Sequence, residues 1–269
     1  MKKIALYSAL TVLLALVFLS PAASVQYHVM YQELHGVNLP LTNKIVNICA
    51  SGCKYSTIDA ACAAQISTST TPLTFRLHAG TYTQASAHNC SGQDNVSIVC
   101  DDPLTTHIIN TQTGGGDYGA LDMGTSTDYG IYFCHIKGHR ALWQDGGGGQ
   151  VILVGNIFEG QTVDPDEDCA FWKNFASSSE FLIDETNLCL MSKDGYTWGA
   201  GPTDWTAVTN STFRVVGAVA GSSYAYNFGG IPARHVDKGS TMYLSSAAAG
   251  GGTMALFGFR YSGDVAGCT

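Results

Sequence analysis

Residues 49–83, CASGCKYSTIDAACAAQISTSTTPLTFRLHAGTYT, contain a helical pattern followed directly by a strand pattern. Ser56 or Thr57 can cap the helix, and one narrow stripe at helical spacing follows: Ile58, Ala61, Cys62, Gln65 and Ile66. The strand alternates apolar and polar residues over residues 73–78. Such a helix can cover the apolar end of a stack of β-coils. We therefore expect a capping helix over residues 56–66. An ordinary helix-strand unit of an α/β domain is the alternative, which the lack of later helical patterns disfavours.

Two segments of this stretch, CKYSTIDAA at residues 53–61 and TFRLHAGTY at residues 74–82, resemble the start of pectin-lyase-like right-handed parallel β-helices. Pectin methylesterases are the most similar members. The resemblance implies a secreted single-chain β-helix and a frequent association with polysaccharides. It carries over no catalytic site, because the motifs of the esterases, pectate lyases and polygalacturonases are absent. The Asp101-Asp102 pair stands before Pro103, in a different context from the polygalacturonase pair.

The first 24 residues have the pattern of a secretory signal, with Lys2 and Lys3 before an apolar run and small residues after it. An uncleaved anchor is the alternative, but the run is shorter than the roughly 20 residues of a spanning helix. Removing this segment changes the net charge from −8 to −10, because two lysines and no acids are lost. An acidic surface disfavours nucleic acid and anionic membranes as partners. We expect a secreted protein with an N-terminal arm over residues 25–44 and one domain over residues 45–269.

The composition and spacing of the remaining chain favour an all-β fold, a single-stranded right-handed parallel β-helix. The chain has 13% charged residues and 31 glycines, which suits stacked coils with tight turns. An Ala-apolar-x-x element begins at residues 120, 141, 170, 225 and 255. Periods in the twenties with three short strands per period predict about six or seven coils. Strands that end at Asn156, Asn187 and Asn210 predict a recurring corner at which the asparagine amides stack. The alternative is that a common turn residue recurs by chance.

Alternation within the Ala-apolar-x-x element predicts an outward row of side chains on one strand face. The row consists of Asp122, Trp143, Trp172, Asn227 and Phe257, with Trp198 in register with it. Exposed tryptophans suit a glycan, because the ring stacks on the sugar while amides and carboxylates bond its hydroxyls. We predict that Trp143, Trp172, Trp198 and Asn227 bind substrate. The alternative is that loops cover the tryptophans.

Three residues near this row are candidate catalytic residues. Asp122 and Asp145 would lie on adjacent coils, and two carboxylates can act as acid and base on a glycosidic bond. Lys173 on the next coil could be the base of a lyase or a solvated charge. The spacing forces neither role, so the sequence leaves open whether the protein is an enzyme.

The sequence predicts no metal site and leaves calcium as the one open cofactor. The acidic run DPDED at residues 164–168 is rich in oxygen ligands, although a solvated acidic loop is the simpler interpretation. His135 and His139 lie four residues apart in a segment with a strand pattern, which disfavours zinc.

Nine cysteines follow the signal, and in an exported protein we expect them to form disulfides. The candidate pairs are Cys90 with Cys100 and two of Cys49, Cys53 and Cys62. Nine is odd, so at least one thiol stays free or links two chains. Cys268 is the candidate for a link between chains, and a free or intrachain terminal thiol is the alternative.

The leading hypothesis is a secreted β-helix protein that binds extracellular or cell-wall polysaccharide along the Trp143 and Trp172 face. The first alternative is a carbohydrate-active enzyme, a polysaccharide lyase or glycoside hydrolase. The second is a structural, adhesive or self-assembling surface protein that associates through its coil ends or through Cys268.

Overall fold

The computed structural model is a parallel β-helix, as the sequence predicts. It describes residues 44–112, 119–146, 149–160, 169–172, 181–191, 194–198, 205–215, 222–228, 234–244 and 255–261. Twenty-two strands and one helix, numbered here in chain order, lie in these ranges. All pairings between the strands are parallel, and each coil contributes one strand to each of three sheets. The described strands form seven such coils, with β1 as an additional strand before them.

The bounds of the elements follow from this arrangement. The first sheet contains β1 Ile45–Ile48, β2 Leu73–Leu77, β5 Asp94–Cys100, β8 Thr127–Tyr132, β11 Gln150–Val154, β14 Phe181–Glu185, β17 Trp205–Thr209 and β20 Arg234–Lys238. The second contains β3 Gly80–Gln84, β6 Thr106–Asn110, β9 His135–Gly138, β12 Ile157–Gly160, β15 Leu188–Met191, β18 Thr212–Val215 and β21 Thr241–Leu244. The third contains β4 His88–Asn89, β7 Gly119–Asp122, β10 Arg140–Gln144, β13 Ala170–Trp172, β16 Asp194–Trp198, β19 Ser222–Phe228 and β22 Ala255–Tyr261. The helix is α1 Ile58–Ala64.

Helix α1 closes the N-terminal end of the coils, which confirms the predicted cap. The Thr57 side chain accepts a hydrogen bond from the backbone nitrogen of Ala60, so Thr57 is the N-cap. Ile58, Ala61 and Cys62 are buried in the main hydrophobic core. The helix ends two residues before Ile66, whose side chain is 54% exposed, so its predicted place in the buried stripe is wrong.

A repeated corner joins the first sheet to the second. One residue with positive φ is followed by a residue whose polar side chain or sulfur lies on the inside: Phe133 and Cys134, Gly155 and Asn156, Thr186 and Asn187, Asn210 and Ser211, Gly239 and Ser240. Asn156 and Asn187 are buried and form the predicted amide ladder, with 3.0 Å from Asn156 Nδ2 to Asn187 Oδ1. The prediction that Asn210 belongs to this ladder is wrong, because Asn210 occupies the preceding, positive-φ position of the corner. Ser211 continues the ladder, because its hydroxyl accepts from the Asn187 nitrogen at 3.2 Å.

Four disulfides join eight of the nine cysteines: Cys49–Cys53, Cys62–Cys90, Cys100–Cys134 and Cys169–Cys189. The first confirms that two cysteines of the N-terminal group pair with each other. The predicted Cys90–Cys100 pair is wrong, because Cys90 ties β4 to α1 while Cys100 links successive coils. Cys268 lies outside the described residues.

Residues 1–43 lie outside the described part of the chain, and with them the predicted signal and nearly all of the predicted arm. Within the described ranges, no helix has the length and apolar character needed to cross a membrane.

Candidate functional site

The predicted outward row on the third sheet is only partly in register. Trp143 pairs with Asp122 on one side and Phe171 on the other, and this row continues to Asn227 through Thr197. Trp172 instead pairs with Gln144 and Trp198. A shift of one residue along a strand reverses the face. Trp143 and Trp172 therefore do not lie in one row. The sequence alignment placed Ala170 beside Ala141, whereas in the structure Ala170 pairs with Leu142.

The exposure predicted for Trp143 is also wrong. Its side chain is 4% exposed, although it lies outside the hydrophobic core that the neighbouring Leu142 joins. The guanidinium carbon of Arg140 lies 5.2 Å from the centre of the tryptophan ring. Gly119 pairs with Arg140, and a Cβ at Gly119 would meet the Cβ of Trp143 at 2.6 Å. Trp143 therefore packs outside the coil under cover and does not offer an open platform to a sugar.

Asp122 and Asp145 lie at the end of this row. Asp122 is half-buried and accepts a hydrogen bond from the Gly124 nitrogen at 2.8 Å, while Asp145 is exposed. Burial raises the pKa of Asp122, and the charge of Asp145 raises it further against the effect of the Gly124 hydrogen bond. A carboxyl group with a raised pKa beside a second carboxylate has the electrostatics of an acid and base pair. Lys173 and residues 164–168 lie outside the described residues, so their roles stay predictions.

The three sheets differ in what covers their outer faces. On the second sheet, burial alternates along β6, β9 and β12: Ile108, Ile136 and Phe158 point into the core, and the residues next to them along each strand are partly exposed. Tyr82 is the buried residue of β3. On the first sheet the outward residues Val99, Tyr132, Ile152 and Val154 form a second buried cluster. Strands buried on both faces lose the alternation that a solvated face shows. In these coils, the outer face of the second sheet is therefore more open than that of the first.

Four charged or titratable side chains meet on this open face across three adjacent coils. The Nδ1 atoms of His107 on β6 and His135 on β9 lie 2.9 Å apart. Nε2 of His135 lies 3.1 Å from Oε2 of Glu159 on β12, and Lys137 Nζ lies 2.6 Å from the other carboxylate oxygen. The strand register places these residues side by side, because His107 pairs with His135 and Lys137 pairs with Glu159.

Hydrogen bonding fixes the charge of Glu159. The bond from His135, supported by Lys137, lowers the pKa of Glu159 to about 2 against the opposing effect of burial. An ionised carboxylate only accepts, so Nε2 of His135 carries the proton that it donates. In neutral His135, Nδ1 is then the acceptor, and His107 donates from Nδ1. Nε2 of His107 is left as an acceptor with no hydrogen-bond partner among the described residues.

Sequence reasoning found only part of this cluster. It considered His135 together with His139, four residues along the same strand region, and assigned no role to His107, Lys137 or Glu159. The usable signal was the alternation of polar and apolar residues in THIIN, HIKG and IFEG. Within the described ranges, no group of three or more His, Cys, Asp or Glu side chains has the geometry to hold a metal ion.

Comparisons with known proteins identify the fold and no closer relationship. No family model matches the chain, and no curated protein matches it. The catalytic domain of a GH87 alpha-1,3-glucanase, solved in complex with tetrasaccharides, matches with 14% identity and a TM-score of 0.51. The match covers 82% of this chain and 46% of that domain, so this chain spans less than half of the glucanase domain.

Two other solved structures resemble the chain more weakly. The Escherichia coli protein ybhc has 12% identity and a TM-score of 0.49, with 84% of this chain and 73% of that chain covered. Pectin methylesterase from carrot has 11% identity and a TM-score of 0.45, with 83% and 84% covered. At the level of the fold, the chain resembles the right-handed parallel β-helix proteins of the pectin-lyase-like superfamily.

Proposed function

We propose that this protein is a secreted β-helix that binds extracellular or cell-wall polysaccharide along the outer face of the second sheet. The observation that carries the proposal is the open face itself, which continues through the described strands from β3 to β18 with outward residues that are partly or fully exposed. This face replaces the Trp143 and Trp172 face that the sequence predicted.

The chemistry of the open face suits a sugar chain. Half-exposed Ile109 and Ile157 lie beside the polar cluster, since Ile109 pairs with Lys137 and Ile157 pairs with His135. Apolar patches next to hydrogen-bonding groups match the mixed surface of a pyranose. Coils repeat every 4.8 Å or so, close to the rise of a sugar residue, so successive coils can contact successive sugars. The glucanase with the same fold was solved with tetrasaccharides, which supports polysaccharide as the ligand class.

Binding to a panel of neutral and acidic polysaccharides tests this proposal. The variant Ile109→Ser/Ile157→Ser removes apolar contact area from the open face, and we expect its affinity to fall about five- to tenfold, the effect of roughly 1 kcal/mol of lost contact. Leu104→Ser is the matched control, because Leu104 is 73% exposed and lies between the first and second sheets. Absence of binding by the natural protein, or equal binding by both variants, would refute the proposal.

The second candidate function is carbohydrate cleavage by Asp122 and Asp145. The raised pKa of Asp122 favours it, because the general acid of a glycosidase is a carboxyl group whose pKa is shifted upwards. Release of sugars from a bound polysaccharide, abolished by Asp122→Asn and by Asp145→Asn, would support this activity. Binding without release in the natural protein would exclude it for that polysaccharide.

Four disulfides fit an extracellular location, since such bonds persist in oxidising compartments. Cleavage of residues 1–24 on secretion is tested by the N-terminal sequence of the exported protein. Self-association through the last coil or Cys268 stays a further alternative. It predicts a higher mass in size-exclusion chromatography, and a contribution of Cys268 would make that mass sensitive to reductant.

A further inference from the structure

A cavity of about 640 Å³ lies at the N-terminal end of the β-helix, away from the cluster on the second sheet. Strand β1, the disulfide loop after it, the end of α1 and His78 form its walls. Its lining side chains include Lys44, Asn47, Lys54, Tyr55, Gln65 and His78. The volume falls within the range of about 300–1,000 Å³ that is typical of small-ligand pockets.

The walls of the cavity are held in place by short-range bonds. The Cys49–Cys53 disulfide closes the loop, and the backbone nitrogen of Cys49 donates to the Tyr55 carbonyl oxygen at 3.1 Å. The side-chain nitrogen of Gln65 donates to the Tyr55 hydroxyl at 3.0 Å. The aromatic ring therefore keeps one orientation at the cavity wall, which lowers the entropy cost of ligand binding.

The cavity is locally positive in a chain whose net charge is −8. The amino nitrogen of Lys54 lies 5.1 Å from the centre of the Tyr55 ring. The neighbouring ammonium group of Lys54 is the largest cause that lowers the pKa of the Tyr55 hydroxyl, and the charge of Lys44 acts in the same direction. The carboxylate of Asp101 lies outside the lining and is paired with Arg76 at 2.8 Å and with His78 at 3.0 Å. The described lining residues include the two lysines and no Asp or Glu, so the lining itself carries positive charge.

We propose that this cavity binds a short anionic saccharide, with its carboxylate or sulfate group between Lys44 and Lys54 and its ring against Tyr55. Asn47 Nδ2 and Gln65 Oε1 are the amide groups of the same lining that can bond hydroxyls, whereas both ring nitrogens of His78 are already bonded, to Asp101 and to Asn47, each at 3.0 Å. Amide and phenol side chains are amphipathic partners for a sugar, and ammonium groups supply the charge recognition. The net charge of the protein repels a long polyanion, so the ligand is a short saccharide or the end of a chain. This site is independent of the open face of the second sheet.

Calorimetric or NMR titration of the mature, disulfide-bonded protein tests the site with three probes of matched ring structure: glucuronate, glucose 6-sulfate and glucose. We expect both anions to bind about tenfold or more tightly than glucose, since a hydrogen bond to a charged group is lost in the neutral sugar. Binding of only one anion would assign the site to carboxylate or to sulfate. Salt should weaken binding of the anions, because the lysines are exposed.

Lys54→Gln is the decisive variant, with an expected loss of about tenfold in affinity for the anions. Lys238→Gln is the matched control, because Lys238 is an exposed lysine at the opposite end of the first sheet and its loss changes the net charge equally. An affinity for both anions that is no higher than that for glucose, no binding of either anion, or an unchanged affinity in Lys54→Gln would overturn the proposal. The variant Ile109→Ser/Ile157→Ser, which alters the open face of the second sheet, should bind the anions as the natural protein does. A failure of the proposed polysaccharide binding can therefore be distinguished from a failure of the cavity proposal.

Discussion

Removing the Asn187 side chain should destabilise the fold more than substitution of any exposed residue at the same corner. The side chain is buried and makes three bonds in the ladder. Its oxygen accepts from the backbone nitrogen of Asn156 at 2.7 Å and from the Asn156 amide at 3.0 Å, and its amide donates to the Leu153 carbonyl oxygen at 2.8 Å. In Asn187→Ala, the buried Asn156 nitrogen loses its acceptor and Leu153 loses a donor. A buried group left unpaired costs about 1–3 kcal/mol, so we expect a loss of about 2–5 kcal/mol.

The chain itself suggests a graded control. Ser211 occupies the next position of the ladder, and its hydroxyl accepts from the Asn187 nitrogen at 3.2 Å. Asn187→Ser should therefore keep an acceptor for Asn156 and lose about half as much stability as the alanine variant. Asn210→Gly should change stability little, because Asn210 is exposed and its φ of 53° is one that glycine adopts freely.

Urea unfolding with the disulfides intact measures these differences as shifts in the transition midpoint at constant slope. The expected order of stability is the natural protein and Asn210→Gly first, then Asn187→Ser, then Asn187→Ala. If Asn210→Gly lost as much stability as Asn187→Ala, the assignment of Ser211 to the ladder would be wrong and the original alignment of the asparagines would stand.

Three further predictions concern the Cys62–Cys90 disulfide, the ionised Glu159 side chain and the outer faces of the first and second sheets. Replacing Cys62 and Cys90 by serine opens a loop with a sequence separation of 28 residues, which should cost about 3–4 kcal/mol in urea unfolding. The pKa of Glu159 is lowered in the fold to about 2 from 4.5, so its stabilisation is present above pH 4.5 and is lost as the pH falls towards 2. Glu159→Gln should remove about 1–2 kcal/mol of that pH dependence in stability titrations. Ile152→Lys on the covered first sheet should cost at least about 3 kcal/mol, whereas Ile157→Lys on the open second sheet should cost less than about 1 kcal/mol, and equal losses in thermal unfolding would contradict the difference in cover.

Local pattern was enough to predict the class of fold and its closed end. The helix over residues 58–64 and the alternation after Leu73 both depend on neighbours within a few residues, which a single sequence shows directly. Disulfide pairing was not accessible in the same way. Cys62 pairs with Cys90 because the coil returns β4 to the helix, and nothing within either segment specifies that return.

The candidate site was harder to predict, since it depends on distant parts of the chain. His107 and Glu159 are two coils apart and meet only through His135, so no short motif contains all three. The burial of Trp143 has a similar origin. Its outward direction follows from local alternation, but whether an outward side chain is covered depends on segments elsewhere in the chain. The alternation along a strand can predict which way a side chain points, but it cannot by itself predict whether another segment covers that side chain.

Residue type can nevertheless indicate which face is open once the coils are aligned correctly. A covered face tolerates few unpaired charges, because removing a charge from water is costly. In the second to fourth coils, the outward positions of the first sheet include Val99, Tyr132 and Ile152, whereas those of the second sheet include Lys137 and Glu159. The same row on the first sheet also includes the charged residues Arg76 and Lys238, which lie in its first and last described coils. The alignment of the coils from the sequence was wrong, because the Ala-apolar-x-x element that begins at Ala170 is displaced by one residue relative to the one at Ala141. The corner between the first and second sheets keeps its register. In that corner a positive-φ residue precedes an inward Cys, Asn or Ser in five successive coils. Alignment on this corner therefore assigns each strand to its face, and in the second to fourth coils the distribution of charge then distinguishes the open outer face of the second sheet from the covered outer face of the first.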